Sequence, residues 1–426
     1  MSGIKSSSRI MLSLWVSLVA IGIAWADPVV KDGDRVAIAG DSITEQKIYS
    51  RYIEAYLLAC AGLKDVKVLQ FGWSGERAPG FAGRMENDTW SWSPTVLTTC
   101  YGMNDGGYRA YDEKAVGAVY RDNMKKIVDF FKGKGVKVIV GSPGVVDSET
   151  YRRVPNAAVY NENLGKLAQI DQEIAQTANV GFADVHAVMM AAMAAAKAKL
   201  GNSFHVAGSD GVHPAADGQL LMAYAFLKAM GFDGQIAAIN MDFNGQTSVS
   251  DGHKIVTQKP GMAEIESVRY PFCFSGKPDD PNGTASILPF VPFQQDLNRF
   301  ELKVSNLPSA NAEVNWGGQK KVFSKAELEK GINLASEFLD NPFSAQFKLL
   351  QDEIWNKQNY ETWMIKGIIT NLRGVAALPD ADKDPKLKEA AEYLRTKLTT
   401  RQAELDSKAK SCLKPVKYQI NVNPIN

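Results

Sequence analysis

The sequence predicts an α/β domain of three layers, a mainly parallel sheet between two layers of helix, and three observations point to it. Short apolar runs alternate with amphipathic stretches from Asp34 to about Phe232. The runs have the length of strands buried on both faces rather than of buried helices. Strand and helix follow one another in strict alternation, which right-handed crossovers turn into a parallel sheet covered on both sides.

Each element has its own signal. Strands are predicted over 35–39 (RVAIA), 66–71, 96–101, 136–140 and 180–185, and helical periodicity fills 49–61, 113–132 and 157–178. The expected topology is flavodoxin-like, and ligands of such sheets bind outside the carboxyl ends of the strands. Beyond Gly234 the pattern changes to strands over 254–258, 299–305 and 312–316, separated by Pro- and Gly-rich loops such as 277–283. Charged amphipathic stretches over 344–373 and 385–411, almost free of breakers, read as an antiparallel helix pair turned at Pro379, whose polar faces suit either a dimer contact or packing on the sheet. The resulting division is 1–26, 27–234 for the α/β domain, 235–335 for a β-rich accessory region, and 336–426 for a helical hairpin and tail.

The first segment reads as a cleaved secretory signal. Lys5 and Arg9 precede an apolar run over 10–23, and Ala24-Trp25-Ala26 sets small residues at the cleavage positions. The run is shorter than a bilayer span, the mature chain begins near Asp27, and the expected location is secreted or periplasmic. No other stretch could span a membrane. The 426 residues carry a formal net charge of +1 and no basic cluster, which speaks against nucleic acid as a partner. Of the four cysteines, Cys60 and Cys100 read as buried small hydrophobes, and Cys273 with Cys412 is the expected disulfide. Their spacing fits no metal site, and no cofactor motif is present.

Chemistry concentrates where predicted strands end. Ile38-Ala-Gly-Asp-Ser-Ile-Thr44 places Ser42 after a buried strand and before a helix, where it is either a nucleophile near helix-end amides or the cap of that helix. Gly72-Trp-Ser-Gly75 follows the second strand, and a glycine there lets a backbone amide approach a substrate. Gly102-Met-Asn-Asp105 follows the third strand and offers the Asn104 amide as a neutral donor to developing negative charge. Asp210-Gly-Val-His-Pro214 supplies a base, His213, and a carboxylate able to fix its tautomer, Asp210. His186 is the alternative base, His205 a loop residue and His253 part of the accessory region.

The ordered set of these four blocks resembles the SGNH, or GDSL-type, hydrolases over residues 34–232, with Ile43 standing where the name motif has Leu. The resemblance implies Ser42 as nucleophile, His213 as base and Asp210 as its orienting partner. It also implies an oxyanion hole from the Ser42 amide, the Gly75 amide and the Asn104 side chain, with Gly72 a rival donor. The expected substrate is an ester, and removal of acetyl groups from polysaccharide is the leading expectation. Trp73, Trp90, Trp92 and Tyr108 would suit stacking against sugars, with Trp73 and Tyr108 the proposed substrate contacts. A lipid esterase, an acyltransferase on the same site, and a carbohydrate-binding protein with a vestigial hydrolase fold are the alternatives.

Overall fold

The computed structural model describes residues 27–278, 280, 282–379 and 381–425. The expected signal segment over 1–26 lies outside the described residues. β1 (Arg35–Gly40), β2 (Lys67–Gln70), β3 (Val96–Cys100), β4 (Lys137–Gly141) and β5 (Gly181–Ala183) form one sheet in the order β2-β1-β3-β4-β5, every pairing parallel. This is the flavodoxin-like order, with its switch point at the carboxyl ends of β1 and β3. The last strand is shorter than its apolar run, because Asp184 accepts the Ala187 amide and caps a helix that opens at Val185.

Alternation along β1 divides the core. Val36 and Ile38 join the cluster on one face, and Ala37 and Ala39 the cluster on the other. The helices of this domain are α1 (Ser42–Glu45), α2 (Tyr49–Ala55), α3 (Ala78–Asp88), α4 (Ala118–Gly133), α5 (Ala157–Ala178), α6 (Val185–Leu200) and α7 (Ala216–Ala229). Side chains of α2, α6 and α7 pack on the Val36 face, and those of α3 and α4 on the Ala37 face. α5 contributes Tyr160 and Leu164 to the first cluster and Leu167 and Ile170 to the second.

The accessory strands are β6 (Gln235–Asp242), β7 (Ser248–Val249), β8 (His253–Lys259), β9 (Met262–Ser267), β10 (Arg299–Ser305), β11 (Asn311–Trp316), β12 (Gln319–Ser324) and β13 (Ile332–Asn333). Short helices α8 (Phe293–Asp296), α9 (Lys325–Lys330) and α10 (Leu334–Glu337) lie among them. The chain closes with α11 (Ser344–Met364), α12 (Leu372–Ala376), α13 (Pro385–Lys410) and β14 (Val416–Ile425). One accessory sheet runs β13-β10-β6-β7; the other, antiparallel throughout, runs β12-β11-β14-β9-β8. The tail is thus a central strand, burying Tyr418, Ile420 and Val422.

α11 and α13 are antiparallel, with Tyr360 Oη donating to Leu398 O at 3.1 Å and Gln402 Nε2 to Glu361 Oε1 at 2.9 Å. Of the two uses expected for this pair, the structure shows packing on the α/β domain. The helix expected over 344–373 is interrupted, since a π turn (Ile365–Ile369) follows Met364. The Cys273–Cys412 disulfide is not made: Cys273 is buried beside Asn341, while Cys412 Sγ turns to Lys408 O at the end of α13. Among the described residues no helix is long and apolar enough to cross a membrane.

Candidate active site

Ser42 is the first residue of α1, and the cap of that helix is its neighbour: Asp41 Oδ1 accepts the Ile43 amide at 2.9 Å. The Ser42 hydroxyl is therefore free for another partner. It meets His213 Nε2 at 2.8 Å, and His213 Nδ1 meets Asp210 Oδ2 at 2.6 Å. The other Asp210 oxygen accepts the amides of Val212 at 2.9 Å and His213 at 2.8 Å, so the carboxylate folds its own loop as well as holding the ring. Burial pulls the Asp210 pKa upward, but these bonds from His213 and Val212 outweigh it and hold the carboxyl below its ordinary range. Gly211 makes the loop possible: its φ is +74°, and a Cβ there would lie 2.3 Å from the Tyr151 amide nitrogen.

The loop after β2 runs beside this pair. Trp73 N–H donates to Gly40 O at 3.0 Å, and the Ser74 amide donates to Glu45 Oε2 in α1. Gly75 is exposed with φ +75°, and its amide has no acceptor among the described residues. The rival donor, Gly72 N–H, is bonded to Gln70 Oε1 at 2.9 Å, so of the two glycine amides that of Gly75 is the one left open. Asn104 closes the group. Its Nδ2 reaches Glu76 O at 3.1 Å and Asp41 Oδ2 at 3.5 Å, while its Oδ1 accepts from Tyr108 Oη at 3.2 Å.

Beneath the donors lies a buried acidic layer. Glu76 is clamped by Arg84, Nε to Oε1 and Nη2 to Oε2 each at 2.7 Å, and accepts Tyr101 Oη at 2.8 Å. Burial, with the neighbouring charges of Asp105 and Glu76, raises Asp41 to about 7, and burial raises Asp105 to about 6. The acidic layer was not foreseen; the only hint was an aspartate in each of two blocks already singled out.

Other expectations are redistributed. His186 turns Nδ1 to Gly144 O at 3.0 Å, and burial depresses its pKa, so it is not the base of this site. His205 faces Asp147, and His253 faces Ser267 and Ile236 O. Trp73 carries two cations, Arg84 at 4.9 Å and Lys366 at 5.0 Å from its ring, and it does not line the cleft. Tyr108 is stacked on Tyr160 at 5.0 Å with the Arg153 guanidinium 3.8 Å over its ring. Both rings are thus in contact with cations, Tyr108 with a second ring as well, and the hydroxyl of Tyr108 orients Asn104. Trp90 and Trp92 precede β3 and so lie at the amino edge of the sheet, opposite Ser42.

The cleft over the serine measures about 540 Å³, and every residue lining it is polar: Ser42, His213 and Asp210 together with Glu45, Gln46, Lys47, Ser74 and Ser209.

Residues 38–221 match the GDSL-like Lipase/Acylhydrolase family. The fold and the family match place the α/β domain with the SGNH class of hydrolases. The match lies within the α/β domain and supports a hydrolase of ester bonds. Among solved structures, a gut microbial diltiazem-metabolizing enzyme, BT4096, is similar over 93% of this chain and 98% of its own, at 25% identity and a TM-score of 0.71. Axe2, an acetylxylan esterase from Geobacillus stearothermophilus, is 22% identical over 48% of this chain and 96% of its own, with a TM-score of 0.40. A search of curated protein sequences finds no match.

Proposed function

We propose that Ser42, His213 and Asp210 form the catalytic triad of an exported esterase that removes short acyl groups, acetyl first, from a hydroxyl-rich carrier such as a polysaccharide. The observation that carries this reading is a cleft lined by polar and charged residues, with no apolar side chain among the described residues that line it to form an acyl pocket, around a serine bonded to an imidazole. A long acyl chain would leave its methylenes against water and charge, losing about 0.8 kcal/mol of burial for each CH₂. An acetyl group loses little, and a sugar-like leaving group finds hydrogen-bonding partners.

In this mechanism Ser42 Oγ attacks the ester carbonyl carbon as its proton passes to His213 Nε2. Asp210 keeps Nδ1 protonated and steadies the imidazolium. The oxyanion takes hydrogen bonds from the amides of Ser42 and Gly75 and from Asn104 Nδ2, which must swing from Glu76 O. Collapse breaks the carbonyl–alkoxy bond, and His213 returns the proton to the departing alcohol. Water then attacks the acyl-Ser42 ester with His213 again as base, releasing the acid.

The test is hydrolysis of a para-nitrophenyl ester series from acetate to decanoate, with acetylated xylan and the acetate ester diltiazem beside it. Rates that fall with chain length, together with acetate release from the polymer, support the proposal. A maximum at long chains would move the substrate to lipids.

A further inference from the structure

The loop that carries Gly75 is held from a distant part of the chain. Glu361 Oε2 accepts the Gln70 amide at 3.2 Å, and Thr362 Oγ1 accepts Gln70 Nε2. Gln70 Oε1 in turn holds the Gly72 amide. One turn further on, Lys366 Nζ bridges both carboxylate oxygens of Glu45, at 2.8 and 2.9 Å, from a position 321 residues along the chain. Glu45 passes this restraint on, because its Oε2 accepts the Ser74 amide, the residue before Gly75. Lys366 also lies 5.0 Å from the ring of Trp73, so it touches the residue before Ser74 directly as well as reaching Ser74 through Glu45.

The local chemistry explains why such a clamp is needed. Gly75 has no Cβ, meets nothing within 4 Å of where one would stand, and has the backbone freedom that lets its amide wander. A carboxylate alone on α1 would hold Ser74 only while its own rotamer stayed fixed. The cation fixes it, in a setting where the two side chains are only 28% and 22% exposed, so the attraction is less screened than at an open surface. The π turn (Ile365–Ile369) buries Ile365 and Ile369 while presenting Lys366 to the loop; inserted turns of this kind recur at functional sites.

We propose that Lys366 is a positioning residue of the esterase site, acting through Glu45 and Ser74 to keep the Gly75 amide aimed at the oxyanion, so that the C-terminal helices complete the active site. The inference rests on the serine esterase reading above. The experiment compares full-length Lys366→Met, Lys366→Arg and Ser42→Ala with the unaltered chain on para-nitrophenyl acetate, with Lys348→Met, an exposed pair with Asp352 on α11, as control. Lys366→Met is expected to lower kcat about ten- to a hundredfold with KM within about threefold, as for a misplaced group that acts in the transition state. Lys366→Arg restores the rate, and Lys348→Met and the melting temperatures do not change. Unaltered kcat in Lys366→Met while Ser42→Ala is inactive overturns the positioning role alone. Equal rates in Ser42→Ala and the unaltered chain overturn the esterase reading beneath it. Should Lys366→Met melt early, Glu45→Gln decides, since it keeps an acceptor for Ser74 without the ion pair. The same loss of kcat, not deepened by adding Lys366→Met, supports the clamp; full kcat or additive losses contradict it.

Discussion

Ser42 and His213 act as one unit if the 2.8 Å bond between them carries the proton. Ser42→Ala and His213→Ala are each expected to cost about 10⁴–10⁶ in kcat, and the double variant no more than either alone. Steady-state rates with the acetate ester check this, and additive losses would separate the two roles. Asn104→Ala, which removes one donor, is expected to cost about 10²–10³ in kcat with KM little changed. Asp41 brings a pH dependence. Its folded pKa of about 7 lies above its ordinary value of 3.8, so between these limits the folded chain binds the extra proton. Its stabilising contribution is therefore present in acid and lost as pH rises through about 7. Asp105, at about 6, acts in the same sense, whereas the lowered Asp210 matters only in stronger acid. Asp41→Asn keeps an oxygen for the Ile43 amide, so it is expected to raise the melting temperature at pH 8 relative to the unaltered chain and not at pH 5. A gain at pH 5 instead would contradict the burial argument. The grouping of Ser42, His213 and Asp210 was readable in the sequence because each of these residues sits in a local block with Gly, Asp or Pro at fixed offsets. Lys366 was not, because nothing in a run of helix marks which lysine will meet a glutamate 321 residues away.

At the level of elements, α11 is tied to α2 through a buried charge cluster. Lys357 Nζ lies 2.8 Å from Glu54 Oε1, 3.0 Å from Glu361 Oε1 and 3.8 Å from Asp406 Oδ1, and donates to Val68 O at 2.6 Å. Burial pushes Glu54 to about 7 and raises Glu361, while their negative charge outweighs burial and raises Lys357. Lys357→Met removes the cation and strands the carboxylates, so a loss of about 3–5 kcal/mol is expected. Both carboxyls then move further up, and the loss should grow as pH rises from 5 to 8. Urea unfolding at both pH values measures it; a variant as stable as the original would mean that the cluster contributes no net attraction. The five parallel strands were legible because each is a short apolar run bounded by turn residues. β6 and β14 were not. β6 (QIAAINMD) lacks a sustained period, and the alternation of Tyr418, Ile420 and Val422 is short, ends at Pro424 and has no nearby partner strand.

Across the whole molecule one buried cluster runs from Val36 and Ile38 through Tyr56, Tyr270 and Phe272 to Trp316, Phe343 and Ile420. The α/β domain and the accessory sheets therefore share a core, and composition alone could not show it, since a shift from α/β to β-rich pattern also marks independent domains. A chain ending at residue 341 would expose the partners of Phe347, Leu350 and Ile354, remove β14 from the centre of its sheet and orphan Glu54. It is expected to be insoluble or to melt far below the full chain, as thermal unfolding would show; a well-folded, active truncation would mean that the C-terminal region is dispensable. The central claim, that Ser42 is a nucleophile activated by His213, is tested most directly by labelling the full chain with a fluorophosphonate and locating the adduct by peptide mass. The account predicts one adduct on the peptide containing Ser42, absent in Ser42→Ala and formed far more slowly in His213→Ala. A label on another residue, or equal labelling of the Ser42→Ala chain, would contradict it.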